Sequence, residues 1–456
     1  MIERCLLPGF VGLEPPAWVR RWIERGLGGV CLYGRNVESP DQLARLCAAL
    51  HRENPRLIIA IDEEGGDVTR LEAATGSSYP GNLALGAAGD LGLTRAVARS
   101  IGLELAHAGI DLDLAPVADV NTNPANPIIG VRAFGSNPRE VAAQTAAWVE
   151  GLQSAGVGAC AKHFPGHGDT SIDSHLALPV VGEDPPDQAL LPFRSAVAAG
   201  VRAVMSAHLV VPSLGDAPGT LNPAVMTGLL RQGLGFEGLV VSDALEMRAI
   251  SAGAGVLEGA VEALAAGCDL LCLGHDLADE ATMLTLAGVI ADRVPADRLA
   301  EAAARVDEFA AWRSRQPEPR ETPDREVGLR AARTAIRLDG DVRIGDDVTS
   351  VKLSPEVSIA AGVVPWGIED ALGERGVRVH AGSEPQAGRD LVITVRDLHR
   401  HAWQAEEVAR LLARRPDAVV IEMGAPYCRP DGARNYIATH GAARVCAVAA
   451  AEVMRP

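Results

Sequence analysis

The chain contains no apolar run of about eighteen residues, the length a helix needs to cross a bilayer, so no segment is read as membrane-spanning. It is short of positive charge: 42 Lys and Arg face 59 Asp and Glu, a formal net charge of −17. Nucleic acid and anionic membrane surfaces both require a basic face, so neither is expected as a partner. Lysine is almost missing, occurring only as Lys162 and Lys352. The eight cysteines form no CxxC pair. Cys31, Cys160 and Cys272 fall inside apolar runs, where a free thiol behaves as a small hydrophobe, so a disulfide framework is not expected. The N-terminal "MIERCLLPGFVGLEPP" carries Glu3 near its start and only a short apolar run, unlike a secretory signal. A reducing cytoplasm is the expected location.

What is present is an alternation. Eight short apolar runs recur: "CLLPGF" (5–10), "GGVCLYG" (28–34), "RLIIAID" (56–62), "IDLDLAPV" (110–117), "VGACAKHF" (157–164), "VRAVMSAHL" (201–209), "GLVVSDAL" (238–245) and "CDLLCLG" (268–274). Between them lie stretches such as "SPDQLARLCAALHRE", whose apolar residues recur at three and four positions. Buried strands alternating with amphipathic helices imply parallel pairing, and eight such units predict a (β/α)₈ TIM-like barrel over residues 1–316. Asp62, Asp119, Lys162, His163, His208, Asp243 and His275 each stand at or just past the C-terminal end of a run. A barrel gathers those ends around one mouth, so these side chains are expected to converge.

Proline and charge in "PEPRETPDRE" (317–326) mark a linker, taken as 317–330. Beyond it, residues 331–456 read as a smaller α/β sandwich-type domain with a mostly parallel sheet. Its strands are expected at 356–362, 376–382, 389–397, 417–424 and 443–450. No GxGxxG follows the first of them, which gives a dinucleotide site little support.

The densest chemistry is "KHFPGHGDTSIDSHLALP" (162–179), with three histidines, two aspartates and a lysine on a backbone that Gly and Pro keep irregular. Three readings compete. A metal site would use His163, His167, Asp169, Asp173 and His175, but neither HExxH nor a Cys/His cluster accompanies them. A phosphate nest in "FPGHGDTS" would set the anion beside aspartates that repel it. An acid/base loop would let Asp173 bond one ring nitrogen of His175, fixing its tautomer and freeing the other nitrogen for proton transfer. Asp243, ending a buried apolar strand in "VVSDALEM", would be the partner carboxylate, since a lone carboxylate there is costly without a task or a bond.

Five segments in order resemble bacterial glycoside hydrolase family 3 β-N-acetylglucosaminidases: "AIDEEGGDVTRL" (60–71), "YPGNLALGAAGD" (79–90), "ADVNTNPANPIIGVRAFG" (118–135), the 162–179 segment and "GLVVSDALEMRAI" (238–250). The resemblance covers roughly residues 25 to 275. It implies a retaining exo-enzyme removing terminal N-acetylglucosamine from cell-wall fragments or other N-acetylhexosaminides, without metal or organic cofactor. Carried across motif by motif, Asp243 is the nucleophile and Asp173–His175 the acid/base dyad. Asp62, Arg70, Arg132, Lys162 and His163 hold the sugar hydroxyls and the N-acetyl group, and His208 lines the same pocket. Ala244 and Asp67 depart from the family's pattern, with a shift of substrate preference as the expected consequence. Phosphorolysis stays open, because a histidine acid leaves a less negative site that admits phosphate, as does β-glucosidase activity on the same scaffold. From other classes, a metal-dependent barrel hydrolase and a non-catalytic sugar-binding protein remain as rivals. The segment "EMGAPYCRPDGARNYIATHG" (422–441) resembles the second domain of two-domain members, whose roles include covering the barrel, forming a homodimer or adding stability.

Overall fold

Each of the eight apolar runs carries a strand: β1 Leu6–Pro8, β2 Gly29–Leu32, β3 Ile58–Ile61, β4 Leu112–Asp113, β5 Gly158–Phe164, β6 Ala203–Ser206, β7 Leu239–Val241 and β8 Leu271–Leu273. The computed structural model describes residues 1–182, 187–274, 279–317, 319–356, 359 and 361–456. Strands β2 to β7 form one parallel sheet in chain order, and β1 pairs in parallel with β8. A bridge between Val241 and Leu270 joins β7 to β8, and the Gly28 amide donates to the Glu3 carbonyl where β1 meets β2. The sheet thus closes on itself as a (β/α)₈ barrel.

Alternation along the strands sorts the core into two layers. Ile58 and Ala60 point inward with Leu7, Cys31, Leu112, Cys160, Met205 and Val241. Ile59 and Ile61 point outward into the layer that Trp22, Leu46, Trp148 and Phe193 of the surrounding helices also help to fill. A fully buried Leu, Ile or Val in such layers contributes about 1.5–3 kcal/mol. The helices have explicit starts and stops. Pro40–Glu53 begins with the Ser39 hydroxyl accepting from the Gln42 amide, and Leu91–Ala108 ends on Gly109 at φ 82°.

The helix Ala296–Ser314 lies across the N-terminal end of the barrel, where its Val306 and Phe309 belong to the inner layer. A Cβ on Gly158 would stand 2.6 Å from the Phe309 ring, so only glycine fits in β5 at that point. The barrel is stopped at its floor, and its open end is the mouth where the strands terminate.

The second domain is built on β9 Arg337–Asp339, β10 Asp347–Lys352, β11 Arg378–Ala381, β12 Asp390–Val395, β13 Val419–Glu422 and β14 Asn435–Ala438. Their order is β11-β10-β12-β13-β14-β9, parallel throughout except for β9. Three expected strands, at 376–382, 389–397 and 417–424, are present. The run at 443–450 is instead part of a helix, Arg444–Met454, whose buried face is largely alanine, the strongest helix former. Of the strand expected at 356–362, Val357, Ser358 and Ala360 lie outside the described residues, and the others carry no strand. A helix Arg325–Ala335 starts within the stretch expected as linker and packs on Asn82–Ala88 and Leu91–Ala108 of the barrel and on Arg444–Met454 of the second domain.

Candidate active site

The inward parity of the strands carries past their ends and decides what faces the mouth. Asp62 continues the inward series of Ile58 and Ala60, Lys162 that of Cys160, and Asp243 that of Leu239 and Val241. Lys162 Nζ lies 2.7 Å from Asp62 Oδ1 and 2.8 Å from Glu64 Oε1. Glu64 also takes a two-point contact from Arg132, at 2.9 Å from Nε and 2.7 Å from Nη2. Burial alone would neutralise these groups. Against it, Arg132 and Lys162 hold the Glu64 carboxyl far below its usual range, and Asp62 and Glu64 raise Lys162 above its own. The result is a continuous chain of ion pairs running Arg132, Glu64, Lys162, Asp62.

His163 is oriented by Asp119, whose Oδ2 sits 2.7 Å from the ring Nδ1. A carboxylate oxygen can only accept here, so Nδ1 carries the proton and Nε2 faces Arg132 Nη2 at 3.5 Å. Arg70 stands 4.0 Å from Asp62 and reaches the Ala361 carbonyl of the second domain at 3.3 Å.

On the loop after β5, His175 Nδ1 and Asp173 Oδ1 are 2.7 Å apart, and the His175 amide donates to the same oxygen at 2.9 Å. Burial opposes ionisation of Asp173, but these bonds outweigh it and hold the carboxyl below its usual range. His175 Nε2 is left as the nitrogen that can give or take a proton. Asp243 Oδ1 accepts from the Ala244 amide at 2.8 Å. Burial would raise its carboxyl, yet the nearby His208, His163 and His175 rings keep it below the usual carboxylate range, hence anionic.

These groups border one cavity of about 570 Å³. Its walls include Asp62, Arg70, Arg132, Lys162, His163, His175 and Asp243, and Leu114, Met205 and Cys272 of the inner layer make its floor. Asp173 stands behind His175. His208 is not a wall. It is fully buried, with Nδ1 2.8 Å from the Thr220 hydroxyl and Nε2 donating to the Ala244 carbonyl at 3.0 Å. Its position shares the parity of Val204, which packs outward, so the ring backs the Asp243 segment rather than facing the cavity. Asp67 also lies apart from the chemistry: it bonds Arg396 Nη2 at 2.5 Å and the Ala442 amide at 2.9 Å, both in the second domain. His275, expected in the ring, lies outside the described residues.

Sequence reasoning missed Glu64, although it continues the inward parity of Asp62. It also missed Tyr33, Glu246 and Met247 on the outer wall, and Ile359, which the second domain adds to the same cavity. Among the described residues no group of three or more His, Cys, Asp or Glu is arranged to hold a metal ion.

Residues 13–309 match the family described as "Glycosyl hydrolase family 3 N terminal domain". The chain is 38% identical over 270 residues to "Beta-hexosaminidase A" of Pseudoalteromonas piscicida, covering 54% of this chain and 45% of that protein. It is 38% identical over 288 residues to "Beta-hexosaminidase" of Stenotrophomonas maltophilia (strain K279a), covering 60% of this chain and 85% of the relative. Among solved structures it is similar to a glycoside hydrolase family 3 beta-N-acetylglucosaminidase from Paenibacillus sp. str. FPU-7. The TM-score is 0.90 at 32% identity, over 100% of this chain and 95% of that one.

Proposed function

The chain belongs to glycoside hydrolase family 3, and from that premise we propose that it is a retaining exo-β-N-acetylglucosaminidase acting on cell-wall fragments or related N-acetylhexosaminides. The observation that carries this reading is the shared cavity: an anionic Asp243 and the His175 of an Asp–His pair border the same space, beside a fixed lattice of hydrogen-bonding charges. The choice of sugar follows the relatives, which are named for hexosaminides.

In this mechanism Asp62, Arg70, Arg132, Lys162 and His163 bind the terminal sugar. Their mutual ion pairs leave them pre-oriented, so little reorganisation accompanies binding. Asp243 attacks the anomeric carbon as the bond to the leaving oxygen breaks, and His175 Nε2 gives that oxygen its proton. The glycosyl–Asp243 ester then forms the enzyme's half of the double displacement. A water loses its proton to His175 and attacks the same carbon, which frees Asp243 and returns the sugar with its anomeric configuration retained. Asp173 holds the imidazole tautomer and stabilises the imidazolium when it forms. His208, behind Asp243, fixes the backbone that carries the nucleophile.

The test is hydrolysis of a chromogenic β-N-acetylglucosaminide against the matching β-glucoside, with and without phosphate, the product anomer being read by NMR. Preference for the N-acetyl substrate, indifference to phosphate and a β-product support the reading. A faster glucoside would overturn the sugar assignment, and a glycosyl phosphate product would make the protein a phosphorylase. An α-product would exclude the double displacement, and loss of activity on chelation would favour a metal-dependent hydrolase.

A further inference from the structure

The Asp–His pair sits on irregular backbone, and a general acid works only if its nitrogen is held within hydrogen-bond reach of the leaving oxygen. What holds it is visible one residue away. Ser174, between the two partners, is buried, and its hydroxyl lies 3.1 Å from His167 Nε2. The other ring nitrogen, Nδ1, is 2.7 Å from the Thr170 hydroxyl. That hydroxyl donates its proton to the His167 carbonyl at 3.0 Å, so its oxygen is an acceptor for the ring. Nδ1 is therefore the protonated nitrogen, and Nε2 accepts the Ser174 proton. With both nitrogens engaged, His167 has no site left for proton transfer to a substrate, although it borders the cavity.

The His167 backbone is itself anchored. Its amide donates to Asp119 Oδ1 at 2.7 Å, and its carbonyl accepts from Asn126 Nδ2 at 2.8 Å. The same Asp119 carboxylate orients His163 through its other oxygen. On the far side, the Ser174 carbonyl accepts from the Ala249 amide at 3.3 Å, six residues beyond Asp243. The loop is thus tied by one residue to the end of β5 and to the segment after β7.

We propose that His167 and Ser174 are positioning residues that fix the Asp173–His175 pair against Asp243, through a chain running Asp119, His167, Ser174. This rests on the acid/base role assigned to His175 above. A loop freed at Ser174 would still bind sugar and still present Asp243, but would deliver the proton poorly.

The experiment compares Ser174→Ala, His167→Asn and their double variant with His175→Ala on aryl β-N-acetylglucosaminides, from a dinitrophenyl to an unsubstituted phenyl leaving group. The Asn amide keeps the contact to Thr170 and is too short for Ser174. The phenyl substrate needs the proton and the dinitrophenyl one does not. The kcat/KM for the phenyl substrate, which reports the leaving-group step alone, is expected to fall about tenfold or more in both single variants, with at most about a threefold fall in kcat/KM for dinitrophenyl. The double variant falls no further than the worse single one, since both remove one bond. Circular dichroism and melting curves establish that each variant is folded. Equal losses on both leaving groups, with His175→Ala still strongly leaving-group dependent, would overturn the positioning role. A flat response in His175→Ala would instead remove the dyad assignment, and the inference with it.

Discussion

Asp243 is the nucleophile of the proposed mechanism. Its replacement by Asn keeps the shape and the Ala244 bond but removes the nucleophile, so kcat should fall at least about 10³-fold with the fold intact, measured by steady-state assay beside a melting curve. His167 gives a second measurable effect. Burial, with His163 nearby, pushes its imidazole down from 6.5 to about 4. Between those values the unfolded chain takes up a proton that the folded one refuses. The stabilisation is therefore complete above pH 6.5 and lost as pH falls toward 4, by about 3 kcal/mol at most. Urea titrations across that window should show a shallower loss in His167→Asn than in the native protein. At this scale the sequence was informative where parity or motif placed a side chain, as for Asp62, Lys162, His163 and Asp243. His208 misled because a histidine past a strand end reads the same whether it turns inward or outward. The role of His167 was hidden because bonds at i+3 and i+7 across irregular backbone follow no period.

Elements reveal themselves in sequence when their burial is one-sided or complete. All eight barrel strands were legible as apolar runs, because a strand covered on both faces has no polar alternation to hide it. Strand β10, "DVTSVK", was overlooked since its Thr349 and Ser350 are buried polar residues in the middle of the sheet. The alanines of 443–450 look apolar enough for a strand, but their small side chains suit a helix packed close to Arg325–Ala335. A sharper test of an element lies at Gly158. Gly158→Ala drives a methyl into the Phe309 ring and should destabilise the protein by about 1–3 kcal/mol, read as a lower midpoint in chemical denaturation. The mouth is far from that contact, so KM should hardly move.

At the scale of the whole molecule, the two domains are pinned by pairs that no local pattern discloses. Asp67 and Arg396 are 329 positions apart, yet they meet in a buried bond with the Ala442 amide alongside. Asn121 and Tyr427 add a second tie at 2.8 Å, and the His399 ring reaches the Pro124 carbonyl at 2.8 Å. Asp67 stands in the motif that also carries Asp62 and Arg70 of the cavity wall, which is why its departure from the family's pattern suggested an effect on substrate. Asp67→Ala strands the Arg396 guanidinium in a half-dry interface and should cost about 3–5 kcal/mol, as for a broken buried pair. Denaturant titration would show it, with domains that separate more readily to limited proteolysis. Activity per folded molecule should survive unless the Ala361 carbonyl leaves Arg70 with it.

The helix that stoppers the barrel floor has a bearing on traffic. Among the described residues Val306 and Phe309 fill the inner layer at the floor, so in the proposed reaction arriving substrate and departing monosaccharide share the mouth, whose cavity Ile359 also lines. In that reaction a cleaved sugar still seated on the ion-paired residues would hold back the next chain end until it left. Free N-acetylglucosamine should accordingly compete with substrate for entry, and crowding at the threshold, more than bond breaking, would then govern how quickly the enzyme clears a dense supply.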